Sequence, residues 1–238
     1  MKRSTYLLIH GAWHGAWCWQ KLTPLLEAAG ARVIAPDLPS MGADTTPAAV
    51  ITLDYWAQFV ARILELESEP VILVGHSRGG IIASQVAELA PERIRHLVYL
   101  AAYLLPAGAK LADAAREDAG SVIAANMIPA ASGLTCTVRA AAVRETFYGA
   151  CSEEDFEFAR ARLTPEPLKP LVTPLQVSTR FAQVPRAYIE TRKDRVISLE
   201  SQRRMQAALP CAPVFTLDSD HSPFLSQPEA LGRILISI

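Results

Sequence analysis

The sequence predicts an α/β fold built on a mostly parallel six-stranded sheet with helices on both faces. Six short β-rich runs occur along the 238 residues, at 5–11, 32–38, 70–76, 95–103, 186–191 and 212–218. Most of these runs are apolar throughout, which is typical of strands covered on both faces. Helix-length segments separate them, and this alternation indicates a parallel sheet.

Helical patterns account for most of the segments between the predicted strands. The predicted helices span 17–29, 53–66, 79–89 and 199–209. Gly30 follows the first helix and Pro91 follows the third, and both residue types are typical of helix ends. A last helix is expected after Ser226, because Glu229 stands three residues later and completes a capping box.

The segment 106–185 interrupts this alternation. It contains alanine-rich and proline-rich helical patterns without a clear strand, and Ser152 is the N-cap of the clearest helix. So long an insertion between two strands is more typical of a lid than of a loop. We therefore expect a core made of residues 1–105 and 186–238, and a helical cap at 106–185 inserted before the last two strands.

Composition and charge restrict the classes of partner. Half of the residues are hydrophobic, and the formal net charge is −1 with acids and bases interspersed. This balance favours neither a nucleic-acid partner nor a membrane surface. The four cysteines are scattered without a C-x-x-C pair, so no disulfide framework and no metal site is expected. The apolar run at 97–105 is far too short to span a membrane, and a cytoplasmic protein is predicted.

The stretch "VGHSRGG" joins a predicted buried strand to a predicted helix. Ser77 lies between Gly75 and Gly79, with His76 and Arg78 beside it. In a tight strand-to-helix turn, called a nucleophile elbow, this G-x-S-x-G pattern lifts the serine hydroxyl clear of the sheet. The glycines are small because strand and helix backbones approach closely there. Ser77 is therefore the candidate nucleophile.

A serine hydroxyl requires a base, and the base requires an acid that orients it. Of the five histidines, only His221 follows the last predicted strand. In this topology the order along the chain is serine, acid, histidine. Asp194 fits the acid, because it stands in the turn "RKDRVIS" after an earlier strand. Asp218 and Asp220 are the alternatives, although Asp220 would have difficulty reaching the ring of its own neighbour.

A tetrahedral intermediate also requires hydrogen-bond donors for its oxyanion. One donor is the backbone N–H of the residue after the nucleophile, Arg78. The other should come from the turn "HGAWHGAW" after the first strand, where the N–H of Ala12 is the most suitable. His10, His14 and His76 are expected to be structural or to line the pocket.

These features resemble the α/β-hydrolase superfamily over essentially the whole chain. The stretches "LLIHGAWHGAWCWQKLTPLLEAAG", "VGHSRGG", "FYGACSEED" and "DHSPFLSQPEAL" are similar to one branch of it. That branch holds plant methylesterases that bind salicylate, hydroxynitrile lyases, and bacterial esterases including pyrethroid-hydrolysing ones. The resemblance implies an α/β-hydrolase fold with a helical cap, no cofactor, and a triad of Ser77, Asp194 and His221. It also implies a small-molecule ester as substrate, and members are often homodimers.

The chain departs from the hydroxynitrile lyases at two positions. The lyases have a hydroxyl residue where Ala12 stands and a lysine where Ser222 stands, and they use both groups on the cyanohydrin. We therefore predict a serine carboxylic-ester hydrolase that acts on small to medium apolar or aromatic esters through an acyl-enzyme. Lyase chemistry on the same triad and a non-catalytic small-molecule receptor are the alternatives.

Overall fold

The computed structural model describes residues 4–238, and this part of the chain contains nine strands. They are β1 (Thr5–Ile9), β2 (Arg32–Ile34), β3 (Val71–His76), β4 (Ile94–Leu100), β5 (Met127–Pro129), β6 (Thr135–Val138), β7 (Glu166–Pro167), β8 (Arg186–Thr191) and β9 (Val214–Leu217). Six of them form one sheet in the order β2-β1-β3-β4-β8-β9, and every neighbouring pair is parallel. The predicted fold class with six core strands is confirmed.

The same residues form twelve α-helices and four short 3₁₀ helices. The α-helices are α1 (Thr23–Ala28), α2 (Leu53–Glu65), α3 (Gly79–Leu89), α4 (Leu111–Glu117), α5 (Ile123–Asn126), α6 (Val143–Phe147), α7 (Glu153–Arg160), α8 (Lys169–Val172), α9 (Thr179–Ala182), α10 (Leu199–Ala208), α11 (Pro223–Ser226) and α12 (Pro228–Ser237). The 3₁₀ helices are Ala16–Trp19, Ala48–Val50, Pro91–Arg93 and Ala140–Ala142. None of the helices within residues 4–238 is both long and apolar enough to cross a membrane.

The core lies on both sides of β3, whose six residues are all buried. Helix α2 shows how the sequence builds the surrounding layer. Its residues Trp56, Val60 and Leu64 recur every four positions and are buried on one face. Thr52 fixes the start of this helix, because its hydroxyl oxygen accepts a hydrogen bond from the N–H of Tyr55 at 3.0 Å.

The helix predicted at 17–29 is divided into two. A 3₁₀ turn covers Ala16–Trp19, and α1 begins only at Thr23. Pro24 explains the division, because a proline has no N–H to donate to the preceding turn and is accommodated in the first turn of a helix. Ser152 caps α7 with its side chain, as predicted.

The predicted capping box of the last helix is wrong. Ser226 ends α11, and its hydroxyl donates to Asp220 Oδ1 at 2.8 Å. The last helix α12 begins at Pro228, after Gln227, without a side-chain cap. The physical reason is that the charged acceptor of Asp220 holds the Ser226 hydroxyl, while a proline in the first turn suffices to start the next helix.

Residues 106–185 contain the six helices α4–α9 and, in addition, a small antiparallel sheet in the order β5-β6-β7. The sequence predicted no strand here. These strands have only two to four residues, too few to show an alternating pattern. Their pairing also joins distant segments, since Met127 faces Val138 and Cys136 faces Glu166.

Candidate active site

The carboxyl ends of four strands bring the predicted site residues to one edge of the sheet. β1 pairs with β3, so the turn that holds Ala12 lies beside the turn that holds Ser77. β8 pairs with β9, so the loops that hold Asp194 and His221 are also neighbours. In sheets of this kind, ligands bind at this edge.

Ser77 occupies a tight turn between β3 and α3. Its φ angle is +53°, in the left-handed region that a residue with a side chain rarely adopts. A Cβ at Gly75 would lie 2.7 Å from the carbonyl oxygen of Gly79, and a Cβ at Gly79 would lie 2.8 Å from the carbonyl oxygen of Ile9. Only glycine fits these two positions. The N–H of Tyr103 donates to the Ser77 carbonyl at 3.1 Å and supports the strained turn.

Asp194 and His221 are in direct contact. The Oδ2 atom of Asp194 lies 2.8 Å from Nδ1 of His221, and both side chains are buried. The Oδ1 atom of Asp194 accepts hydrogen bonds from the N–H groups of Val196 at 2.7 Å and Ile197 at 2.9 Å. The hydroxyl of Thr191 donates to Oδ2 at 3.1 Å. These bonds fix the carboxylate, so the proton of the imidazole belongs on Nδ1 and its Nε2 is the basic atom.

The two alternative acids make other contacts. Asp218 forms an exposed ion pair with Lys193. Asp220 accepts a hydrogen bond from the N–H of Ala150 at 2.9 Å through Oδ2. Asp220 therefore joins the loop that holds His221 to the segment that precedes α7. Among the three acids, Asp194 is the one that contacts the imidazole.

His76 links the elbow to the loop of His221. Its Nε2 atom donates to the backbone carbonyl of His221 at 2.8 Å, and the two ring centroids are 4.6 Å apart. No hydrogen bond joins the Ser77 hydroxyl to His221 Nε2 among the bonds formed within residues 4–238. Such bonds are often long without substrate and shorten in the reacting complex.

The backbone N–H groups of Ala12 and Arg78 form no hydrogen bond within residues 4–238. Both residues line the same cavity as Ser77. Two free N–H groups beside a serine hydroxyl can hold the negative oxygen of a tetrahedral intermediate.

The other histidines near the site are buried and neutral. His14 Nδ1 donates to the carbonyl of Ala12 at 2.7 Å, and its Nε2 accepts from the hydroxyl of Tyr148 at 2.7 Å. Burial lowers the pKa of His14 to about 3. Burial also lowers the pKa values of His10 and His76 well below 6.5. At neutral pH these side chains support the turns around the site and carry no charge.

A cavity of about 290 Å³ opens at Ser77. Nine of its fifteen lining residues come from the segment 106–185, and most of these are apolar. The apolar side chains that form this wall include Leu111, Ala115, Ile123, Ala124, Met127 and Leu171. A bound molecule would therefore contact the serine on one side and hydrophobic surface on the other.

A family model described as "Alpha/beta hydrolase family" matches residues 6–234. The chain belongs to this family. Among similar proteins, methylesterase 17 of Arabidopsis thaliana is 31% identical over 247 residues, which cover 97% of this chain and 90% of that protein. A pyrethroid hydrolase of Sphingobium wenxiniae is 32% identical over 238 residues, which cover 96% of this chain and 85% of that protein.

Solved structures of the same branch superpose on this α/β hydrolase over nearly their whole length. A pyrethroid hydrolase from Sphingobium faniae has a TM-score of 0.87 and 30% identity, covering 99% of this chain and 97% of that one. A methylesterase protein from Arabidopsis has a TM-score of 0.86 and 27% identity, covering 98% of each chain. The resemblance that the sequence motifs indicated is confirmed.

One buried group beside the site of this α/β hydrolase could not be identified from the sequence. Glu166 in β7 is fully buried, and its Oε1 atom lies 2.8 Å from Nε of Arg78. The only sequence signal is Arg78 itself, because a cation between two buried elements requires a buried carboxylate. Glu166 is 88 residues further along the chain, and no local pattern marks it as the partner.

Proposed function

We propose that the protein hydrolyses carboxylic esters through an acyl-enzyme formed on Ser77. The observation that carries this proposal is the 2.8 Å contact between Asp194 and His221 at the sheet edge where the strained Ser77 turn lies. The free N–H groups of Ala12 and Arg78 beside Ser77 support it as well. So do the relatives, which are named methylesterases and a pyrethroid hydrolase.

In the first half of the reaction, the Ser77 oxygen attacks the ester carbonyl carbon while its proton passes to Nε2 of His221. Asp194 stabilises the imidazolium, and the N–H groups of Ala12 and Arg78 hold the oxyanion. His221 then gives the proton to the leaving alcohol as its C–O bond breaks. In the second half, His221 takes a proton from water, the hydroxide attacks the acyl group, and the bond to Ser77 breaks. The carboxylic acid leaves and the serine regains its proton.

The cavity favours a neutral ester with an apolar or aromatic acyl group. Its wall from 106–185 is mostly aliphatic, and its volume of about 290 Å³ suits a small to medium ligand. Arg78 and Arg116 are the two charged residues in this lining, and the guanidinium of each is paired, Arg78 with Glu166 and Arg116 with Asp113. We propose that 106–185 is a cap that selects the substrate, on a core of residues 1–105 and 186–238.

A fluorophosphonate probe and a panel of methyl, aryl and pyrethroid-like esters test the proposal together. We expect one adduct per chain, placed by peptide mass spectrometry on Ser77, and ester hydrolysis that Ser77→Ala abolishes. His221→Ala should slow labelling sharply, because the hydroxyl loses its base. Labelling of Ser77 without hydrolysis of any ester would favour a small-molecule receptor. Hydrolysis without an adduct on Ser77 would contradict the triad.

A cytoplasmic location and a homodimer stay predictions from the sequence. Light scattering of the purified protein tests the second, and cell fractionation tests the first.

A further inference from the structure

The guanidinium of Arg78 is buried directly behind the turn that holds Ala12. Its Nη2 atom donates to the carbonyl oxygen of Gly11 at 2.9 Å, and its Cζ atom lies 4.2 Å from the centroid of the Trp56 ring. The side chain is 1% exposed, and its carboxylate partner Glu166 is 0% exposed. Burying a charge to this extent costs free energy. The ion pair with Glu166, the bond to Gly11 and the contact with Trp56 offset that cost.

The carbonyl of Gly11 and the N–H of Ala12 belong to one peptide group. Two donors converge on this carbonyl, because Nδ1 of His10 also lies 2.9 Å from it. The N–H of Leu38 donates to the other ring nitrogen of His10 at 3.2 Å, so the proton of His10 is on Nδ1. With both donors on its oxygen, the peptide plane is fixed, and its N–H points the opposite way, away from the guanidinium of Arg78.

Glu166 holds the same turn from the side of the segment 106–185. Its Oε2 atom accepts a hydrogen bond from the N–H of Trp13 at 3.1 Å, while Oε1 lies 2.8 Å from Nε of Arg78. One carboxylate therefore fixes both the guanidinium and the peptide that follows Ala12. Burial raises the pKa of Glu166, and the positive charge of Arg78 opposes that rise.

We propose that Arg78 and Glu166 are positioning residues that orient and polarise the Ala12 N–H as an oxyanion donor. This inference rests on the proposed function. A cation hydrogen-bonded to a peptide oxygen withdraws electron density from that peptide. The N–H at the other end of the peptide then becomes a stronger hydrogen-bond donor. The side chain of Arg78 thus acts through Ala12, while its own backbone N–H is the second donor.

Fold stability alone accounts poorly for this pair. Replacing a buried ion pair by uncharged residues of similar volume is often neutral or stabilising, because desolvation offsets the attraction between the charges. The same replacement gives the test. The double variant Arg78→Met with Glu166→Gln removes both charges, and the glutamine oxygen still accepts from the Trp13 N–H.

We expect the double variant to fold and to lose about tenfold to a hundredfold in kcat, less than the loss on removing an oxyanion donor outright. KM for a neutral aryl ester should change less than about twofold, because the apolar cavity is intact. The affinity for an aryl trifluoromethyl ketone, whose hemiketal oxyanion resembles the intermediate, should fall in parallel with kcat/KM. The affinity for the corresponding methyl ketone, which forms no such oxyanion, should not change.

A matched control is the ion pair between Lys21 and Asp155, 2.6 Å apart, which also ties α7 to the core but does not touch the Gly11–Ala12 peptide. Lys21→Met with Asp155→Asn should leave kcat and ketone affinity unchanged. If this control loses as much kcat as the Arg78 and Glu166 variant, the pair only anchors the segment 106–185 and the inference is wrong.

Two further outcomes decide between the two proposals. Wild-type ester hydrolysis combined with unchanged kcat and ketone affinity in the double variant would overturn the inference and leave the proposed function in place. An absence of Ser77-dependent hydrolysis in the wild-type protein would overturn both. If the double variant does not fold, Arg78→Gln with Glu166→Gln replaces it. That variant also removes both charges, and unchanged trifluoromethyl ketone affinity would again contradict the inference.

Discussion

Asp218 lies 2.7 Å from Lys193, through its Oδ2 and the lysine Nζ, and this pair faces solvent. The same two loops, which follow β8 and β9, also hold Asp194 and His221, and these two side chains contact each other in the interior. The two carboxylates therefore have different environments although both follow a strand of the same sheet. Only the buried carboxylate has two backbone N–H groups that fix its orientation.

Asp194→Asn should lower kcat by about four orders of magnitude. An asparagine amide in place of the carboxylate favours the wrong imidazole tautomer, with the proton on the Nε2 atom that must accept it from the serine. Steady-state hydrolysis of an activated aryl ester by the variant and the wild-type protein gives the measurement.

Asp218→Asn is the matched control for this variant. Its side chain is 62% exposed, so loss of the ion pair with Lys193 should change the free energy of unfolding by less than about 1 kcal/mol and leave kcat unchanged. Near-full activity of Asp194→Asn together with loss of activity in Asp218→Asn would show that the acid is assigned wrongly.

The place of the elbow could be predicted because its physics is local. Gly75 approaches the backbone of Gly79 only four residues later, and Ser77 has its positive φ between them, so a short sequence contains most of the constraint. The close approach of Gly79 to Ile9 in β1 is the part that depends on the fold. The neighbourhood of Asp194 and His221 followed from strand order, since parallel strands end at one edge. Strand order alone leaves three acids open, and the contacts in the folded chain distinguish them.

Other features depend on competition between distant partners. The hydroxyl of Ser226 bonds to Asp220 in preference to capping the next helix, and no sequence pattern ranks these two choices. β7 contains only Glu166 and Pro167, so neither the small sheet nor the buried ion pair of Glu166 with Arg78 leaves a periodic signal. The small sheet and this ion pair can be identified only when the path of residues 106–185 back to the elbow is known.

The protein should not release cyanide from mandelonitrile. Ala12 supplies no side-chain hydroxyl, and Ser222 is fully buried and uncharged, so neither position handles a cyanohydrin hydroxyl or a departing cyanide ion. Cyanide release, compared between wild type, Ser77→Ala and buffer, gives the measurement. A Ser77-dependent rate comparable with the rate of ester hydrolysis would contradict the hydrolase assignment in favour of a lyase.

Met127→Ala should change the preference between small and bulky esters. Met127 lines the cavity from β5, and removing its side chain enlarges the space for an acyl group. We expect kcat/KM for an ester with a bulky aromatic acyl group to rise by about tenfold relative to that for an ester of the same alcohol with a small acyl group, the effect of one or two methylene groups in an apolar pocket. The next residue, Ile128, is 43% exposed and lies outside the cavity lining, so Ile128→Ala is the control. Equal selectivity in both variants would place the acyl pocket elsewhere.

Acid should destabilise the fold well before the carboxylates are protonated, and His14 is one cause. Its pKa is about 3 in the folded chain because of burial, against an ordinary value of 6.5. Between these values the unfolded chain binds a proton that the folded chain does not. The contribution of His14 to stability is therefore complete above pH 6.5 and is lost as the pH falls towards 3, by about 1.4 kcal/mol per pH unit in the middle of that range.

Urea unfolding of wild type and His14→Gln at several pH values between 7.5 and 4.5 measures this loss. The glutamine amide can still donate to the Ala12 carbonyl and accept from the Tyr148 hydroxyl, so the variant removes the titration and keeps both bonds. We expect the free energy of unfolding of the variant to fall less steeply as the pH falls. The two slopes should differ by up to about 1.4 kcal/mol per pH unit, which corresponds to one proton. His96 is only partly buried, and burial lowers its pKa less, so His96→Gln should alter the slope far less. Identical slopes of the free energy of unfolding against pH for His14→Gln and the wild type would contradict the prediction. They would show that His14 becomes protonated in the folded chain, so that the bond from Tyr148 does not keep it neutral.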